Sequence, residues 1–390
     1  MTRSVRLRCA VRSTLKDDAL VLLAVPPDTP TQRVVALSTS GIERVNPPAA
    51  SVVLEAEPGK HYGFDALIRL GTDRGDPQED ARSLARWLED GPLVHLSDEL
   101  TGVARRITQT YESPQDRARQ AFEFVVNAMR YVWPPPRRGA AASYEVRQGD
   151  CGEYTWIFVG LCRAMGIPAR SVCGTFIYGG RQPHVWAEVY LADRGWISVD
   201  PSLTAMRRRR LRNPLDLLLT IASLSTVRPA NALFPFTLFD FAVTDRVCFS
   251  LGEDHDVPAE ASSLLRSRSA IDATFRWGRD SFCGKIPFLQ PAAGLGIPWE
   301  DLVVEWRTSN ASFGGVERVT SSVRQWLLFA FVALWVAMSI GAIQLQPAIS
   351  IGLFAALSAC VLVRILMLTV DVVDVVCAAL LLAVVFTRIT

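Results

Sequence analysis

The stretch that most restricts how this chain can fold runs from Gly149 to Pro201. Asp150 is a strong helix N-cap, and Glu153 three residues later completes a capping-box pattern. A helix is therefore predicted from Cys151 to about Met165, stopped by Gly166-Ile167-Pro168. Strand-like runs follow at residues 171–178, 185–191 and 196–199. The last two are separated by Ala192-Asp193-Arg194-Gly195, which has the composition of a hairpin turn. A capped helix thus leads into an antiparallel hairpin, one helix-and-strand unit.

That unit also places chemistry. A cysteine nucleophile acts as a thiolate, and a free thiol with a pKa of about 8.5 is mostly protonated at neutral pH. Cys151 opens the helix, where backbone N–H groups and the positive end of the macrodipole favour an anion. Its own N–H points where an oxyanion would form. Gly149 and Gly152 beside it leave room for a substrate backbone. Four histidines are present, His61, His95, His184 and His255. Only His184 opens a strand inside this block, and Asp200 ends the strand after it. The hairpin brings the two together, so the carboxylate can fix the imidazole tautomer. Taken singly, a helix-start cysteine, a core histidine and an aspartate before proline are ordinary packed residues. Their order along one compact block makes Cys151, His184 and Asp200 a candidate nucleophile, base and orienting acid. Tyr131 or Trp133, upstream of the cysteine, is a candidate second oxyanion donor.

Four segments carry a resemblance. They are Gly149-Asp150-Cys151-Gly152-Glu153-Tyr154-Thr155, Arg163-Ala164-Met165-Gly166-Ile167-Pro168-Ala169-Arg170, His184-Val185-Trp186-Ala187-Glu188-Val189-Tyr190 and Gly195-Trp196-Ile197-Ser198-Val199-Asp200-Pro201. In this order and spacing, over residues 115–202, they resemble the transglutaminase-like superfamily, as in its bacterial membrane-anchored members. The resemblance implies an α+β, papain/transglutaminase-like core with Cys151, His184 and Asp200 as the triad. It also implies structural roles for Glu153 as a cap, Trp186 in the core and Glu188 on the strand surface. The blocks resemble the peptide:N-glycanase core too, but the zinc-binding CxxC pairs typical there are missing. Nothing marks the calcium-binding domains of animal transglutaminases.

The rest of the 390-residue chain frames this core. Short apolar runs at 5–11, 19–25, 33–37, 52–55 and 64–70, separated by turn residues, predict a β-rich domain over residues 1–75. It resembles the β-domain that often precedes the core in bacterial members. Helical spacing at 76–90 and 97–111, and Ser113-Pro114 as a helix start, place the core with its preceding helices at 76–202. Residues 134–143 read as loop. Residues 203–324 form an extension of unassigned role. Its arginine run, Arg207 to Arg210 with Arg212, reads as a solvated loop resting on anionic headgroups. No aromatics interleave with these arginines and the net charge is only +2, so no nucleic-acid partner is expected.

From Trp326 to Phe386 only Arg364, Asp371 and Asp374 are charged. A bilayer core takes about 20 apolar residues per helix, so residues 325–388 are expected to hold two or three transmembrane helices. Arg318 and Arg324 precede the first span, and the N-terminus lacks the pattern of a signal peptide. Both features place the catalytic domain in the cytoplasm. Eight scattered cysteines without a CxxC fit a reducing compartment, with no metal and no cofactor expected. The function expected is a membrane-anchored cysteine enzyme that cleaves amide or peptide bonds in a protein or peptide substrate through a thioester. The alternatives are a glutamine transglutaminase using an amine acceptor and a non-catalytic peptide-binding scaffold.

Overall fold

The computed structural model describes residues 3–42, 51–71, 81–177, 183–212, most of 237–256, 301–310 and shorter pieces elsewhere. It contains two compact units, residues 1–209 with 236–309 and residues 210–235 with 310–390. Among the described residues of the chain no helix is long and apolar enough to cross a membrane. The spans expected over 326–386 fall for the most part outside the described residues.

The first unit is a mixed α/β structure that begins with five strands: β1 (Arg3–Ser13), β2 (Ala19–Ala24), β3 (Gln32–Ser40), β4 (Ser51–Ala56) and β5 (Tyr62–Leu70). In β1, Val5, Leu7, Cys9 and Val11 are buried while Arg6 and Arg8 are exposed, the period-two pattern of a strand with one face on a core. Every residue of β2 is buried, as suits its unbroken apolar run. Helices follow. After α1 (Ala81–Ala85) and a single 3-10 turn, α2 (Asp98–Thr110) starts under a Ser97 cap and α3 (Pro114–Ala128) under a Ser113 cap, with proline in its first turn. Then come β6 (Arg130–Tyr131), α4 (Ala140–Glu145), β7 (Gln148–Gly149) and α5 (Cys151–Ala164). Part of the segment expected as loop is thus the helix α4.

Strands β8 (Ala169–Phe176), β9 (Pro183–Leu191) and β10 (Gly195–Val199) lead into α6 (Pro201–Arg212) and β11 (Arg246–Leu251). Among the described residues the unit goes on with the strands β12 (His255–Asp256), β13 (Thr274–Trp277), β14 (Asp280–Cys283), β15 (Lys285–Ile286), β16 (Ala292–Gly294) and β17 (Leu302–Asn310). The central helix α5 is buried from Gly152 to Cys162 and packs on the sheet ordered β10-β9-β8-β11. Gly160 permits this: a Cβ there would lie 2.3 Å from the Val94 carbonyl oxygen.

Parts of the extension over 203–324 find their place here. β11 adds to the edge of the core sheet beside β8. β16 and β17 complete the N-terminal sheets, in the orders β16-β2-β4 and β17-β1-β5-β3. The sheets meet through β11. The Gln32 side chain donates to the Cys248 carbonyl (3.0 Å) and accepts from its N–H (2.8 Å). Val247 and Phe249 join the N-terminal core, where Phe249 meets Trp306 edge to face at 6.1 Å between centroids.

The arginine run, expected as a loop, is helical instead. It lies in α6, which begins immediately after Asp200. There Arg207 is buried, and Arg208 holds both carboxylate oxygens of Glu123 at 2.5 and 2.8 Å. Along this helix Arg207 is buried, Arg208 half-buried and Arg209 exposed, the rotation from residue to residue expected of a helix.

Candidate active site

Cys151 is the first residue of α5, and the local sequence builds the cap predicted for it. Asp150 Oδ1 accepts from the Gly152 N–H (2.7 Å), and Glu153 Oε2 accepts from the Asp150 N–H (3.1 Å). Arg138 donates to both acids at 3.1 Å, a contact that the sequence does not reveal. Gly149 gives this cap its room. A Cβ there would lie 2.4 Å from Glu153 Cβ, and at Gly152 the nearest atom to a Cβ is an Asp150 carboxylate oxygen at 3.2 Å.

The Cys151 side chain is half-buried, and its sulfur hydrogen-bonds to the backbone of Val185, the residue after His184. Burial pushes the thiol well above its ordinary range, the Asp150 carboxylate pushes the same way, and the Val185 backbone pulls it back. The sequence suggested the opposite direction. A helix terminus contributes only about 0.3–1 kcal/mol to a charged group, less than desolvation beside a carboxylate. The resting sulfur therefore keeps its proton.

His184 is the second residue of β9, opposite Gly174 of β8. Its ring stacks on Phe176 with centroids 4.8 Å apart, and Nε2 lies 2.7 Å from Asp200 Oδ2. Asp200 is fully buried at the end of β10 and its carboxylate is fully occupied. Oδ1 accepts from the Ser202 hydroxyl and the Leu203 N–H, both at 3.0 Å, and Oδ2 accepts from Arg246 Nη1 at 2.8 Å. Burial alone would raise the carboxyl, but His184 and Arg246 outweigh it and hold Asp200 below the usual carboxylate range. With Nε2 tied to Asp200, Nδ1 is the ring nitrogen left to exchange a proton.

Tyr131 pairs with Gly149 across β6 and β7, which sets it close to the cysteine. Burial, followed by the neighbouring acidic groups Cys151, Asp150 and Asp200, raises its hydroxyl far above the ordinary range, so it stays a proton donor. Trp133 is 64% exposed. Glu188, expected on the strand surface, is buried and held by two Arg170 nitrogens at 2.7 and 2.9 Å. Arg246 is the principal residue that the sequence leaves unmarked. Its one signal is a cation opening an otherwise apolar strand, Arg246-Val247-Cys248-Phe249-Ser250-Leu251.

Residues 101–201 match the model of the transglutaminase-like superfamily. A protein-glutamine gamma-glutamyltransferase of Pseudomonas aeruginosa is 27% identical over 135 residues, which cover 30% of this chain and 20% of that protein. A Drosophila melanogaster peptide-N(4)-(N-acetyl-beta-glucosaminyl)asparagine amidase is 47% identical over 57 residues, 14% of this chain and 8% of that protein. The chain thus spans a fifth or less of the length of these curated relatives. Among solved structures, a Cytophaga hutchinsonii protein provisionally described as a cysteine protease aligns at TM-score 0.46 and 14% identity, covering 79% of this chain and 91% of that one. The periplasmic domain of TgpA from Pseudomonas aeruginosa aligns at TM-score 0.36 and 16% identity, covering 55% and 92%. The chain carries a core domain of the transglutaminase-like superfamily over residues 101–201.

Proposed function

We propose that this chain is a cysteine acyl-transfer enzyme that cleaves a carboxamide or peptide bond, with Cys151, His184 and Asp200 as its triad. The observation that carries the reading is the buried His184–Asp200 contact of 2.7 Å, with the Cys151 sulfur on the backbone of the neighbouring Val185. The Cys151 proton passes to His184 Nδ1 as the sulfur attacks the carbonyl carbon, because a thiol this raised does not ionise alone. The C–N bond then breaks as the same nitrogen protonates the departing amine, leaving a thioester. Water attacks next, His184 takes its proton, and the C–S bond breaks to release the acid. The Cys151 N–H and the Tyr131 hydroxyl are the donors assigned to the oxyanion. Tyr131 is preferred to Trp133 for its burial and its neutral hydroxyl.

A second reading, transfer to an amine instead of water, draws on the name of the Pseudomonas relative. Casein separates the two. Incubated with dansylcadaverine, a hydrolase releases acid-soluble peptides, whereas a transglutaminase incorporates the dye. Both signals are expected to vanish in Cys151→Ala. Turnover that survives this change would remove Cys151 from the mechanism, and labelling without cleavage would favour the second reading. A scaffold without turnover gives neither signal in wild type.

The apolar tail over 325–388 is proposed as the membrane anchor, on composition alone. Carbonate extraction should leave the full chain in the membrane pellet and release a chain ending at residue 324. A cytoplasmic catalytic domain follows from the arginines before the tail. A reporter fused after Ser4 that is active only in the periplasm would reverse that orientation.

A further inference from the structure

We infer that Arg246 is a positioning residue of the proposed triad, fixing the Asp200 carboxylate and setting the pH at which the Cys151–His184 pair becomes reactive. The inference rests on the triad reading above. One carboxylate oxygen, Asp200 Oδ2, accepts both from His184 Nε2 (2.7 Å) and from Arg246 Nη1 (2.8 Å). Guanidinium and imidazole therefore meet on a single oxygen inside a fully buried site.

Burying a guanidinium needs compensation, and the site supplies it. Asp245 accepts from Nε at 3.0 Å, and the rings of Phe176, Trp186 and Phe241 surround the guanidinium carbon at 4.8, 5.3 and 4.6 Å. Phe176 and Trp186 also flank His184, so the same aromatic pair aligns both partners of Asp200. Among the described residues Nη2 is buried without a hydrogen-bond partner, which costs the fold stability. A purely structural cation would not need so exact a seat on the one oxygen that the histidine uses. Arg246 stands on β11, outside the matched residues 101–201.

The sign of its effect follows from the charges facing His184. Asp200 follows β10, Arg246 opens β11 with Asp245 immediately before it, and Asp150, Cys151 and Glu153 stand at the start of α5. Tyr131 on β6 is neutral. Arg246 is the cation that sits directly on the histidine's own acceptor. Removing a buried cation makes the protons of Cys151 and Asp200 harder to lose, which moves the reactive form of the cysteine to higher pH.

The test is the pH profile of Cys151 carbamidomethylation by iodoacetamide, followed by mass on the Cys151 peptide of the full chain. Arg246→Met should move the midpoint up by about one pH unit or more, a roughly tenfold slower reaction at a fixed pH below it. Arg246→Lys, which retains the charge but can reach only one of the two acids, should recover part of the shift. If Arg246→Met does not fold, the lysine variant carries the test with a smaller upward shift. A role in folding alone would lower the stability or the fraction labelled and leave the midpoint in place. An unmoved midpoint in folded Arg246→Met, or in folded Arg246→Lys where the methionine variant does not fold, overturns the inference. His184→Ala is run alongside. If wild-type labelling ignores that change, the triad reading fails first, and that failure is distinguishable from an inert Arg246.

Discussion

At the scale of single residues, the site is a set of buried charges whose balance fixes where each proton resides. Asp200 is depressed by His184 and Arg246 against the pull of burial. A carboxyl whose folded pKa lies below its unfolded value of about 3.9 stabilises the fold fully above that pH, and the contribution disappears as pH falls toward the folded value. Asp200→Asn should therefore flatten the acid limb of stability, read as urea midpoints between pH 3 and 6. An unchanged acid limb would remove Asp200 from that account. Asp150 acts on the thiol in the other direction. Asp150→Asn keeps a capping oxygen but removes a negative charge beside the sulfur, so the Cys151 alkylation midpoint should fall by roughly half a unit. A midpoint that rises or stays would show that burial alone governs the thiol. The three triad candidates were legible because each stands at a local boundary, a cap, a strand start and a strand end. Arg246 was not, since its partner Asp200 is 46 residues away and no local pattern links the two.

Among the elements, α5 is the one on which everything else is built. Its start is fixed by Asp150, Glu153 and Arg138, and its middle is fitted to the backbone at Val94 by Gly160. Alanine is worth up to about 1 kcal/mol over glycine in a helix interior. At position 160 that gain is outweighed, because a Cβ 2.3 Å from a carbonyl oxygen forces the helix or the loop to move. Overpacking of this kind costs about 1–3 kcal/mol, so Gly160→Ala should destabilise by about 1 kcal/mol or more in urea titration. A stabilised variant would show that the helix can shift freely. Helices with explicit caps, α2, α3 and α5, were readable to within a residue or two. α4 was not, because its N-cap is Gly139 without a capping side chain. The arginine run misled for a related reason, since composition alone does not say that a run will be helical and turned inward on one side.

For the whole first unit, β11 is the shared wall. It hydrogen-bonds to β8 of the core sheet, and through Gln32 and Trp306 it is bound to the N-terminal strands. Gln32→Ala would leave a buried N–H and a buried C=O unpaired, at about 1–3 kcal/mol each. Because both parts use that wall, the loss should appear as a single cooperative transition, with tryptophan fluorescence and exposure of Cys151 to alkylation changing together. Two separated transitions would show that the parts fold independently. That late strands β16 and β17 close the N-terminal sheets was not readable, because strand pairing across more than two hundred residues leaves no local trace.

The most direct test of the central claim is the rate of Cys151 carbamidomethylation at pH 7 in the full chain, wild type against His184→Ala. The triad account predicts that removing the imidazole slows the reaction at least tenfold, since the buried thiol then has no base to take its proton. Equal rates in the two proteins would mean that Cys151 and His184 do not act as a pair, and the acyl-transfer mechanism would fall with them.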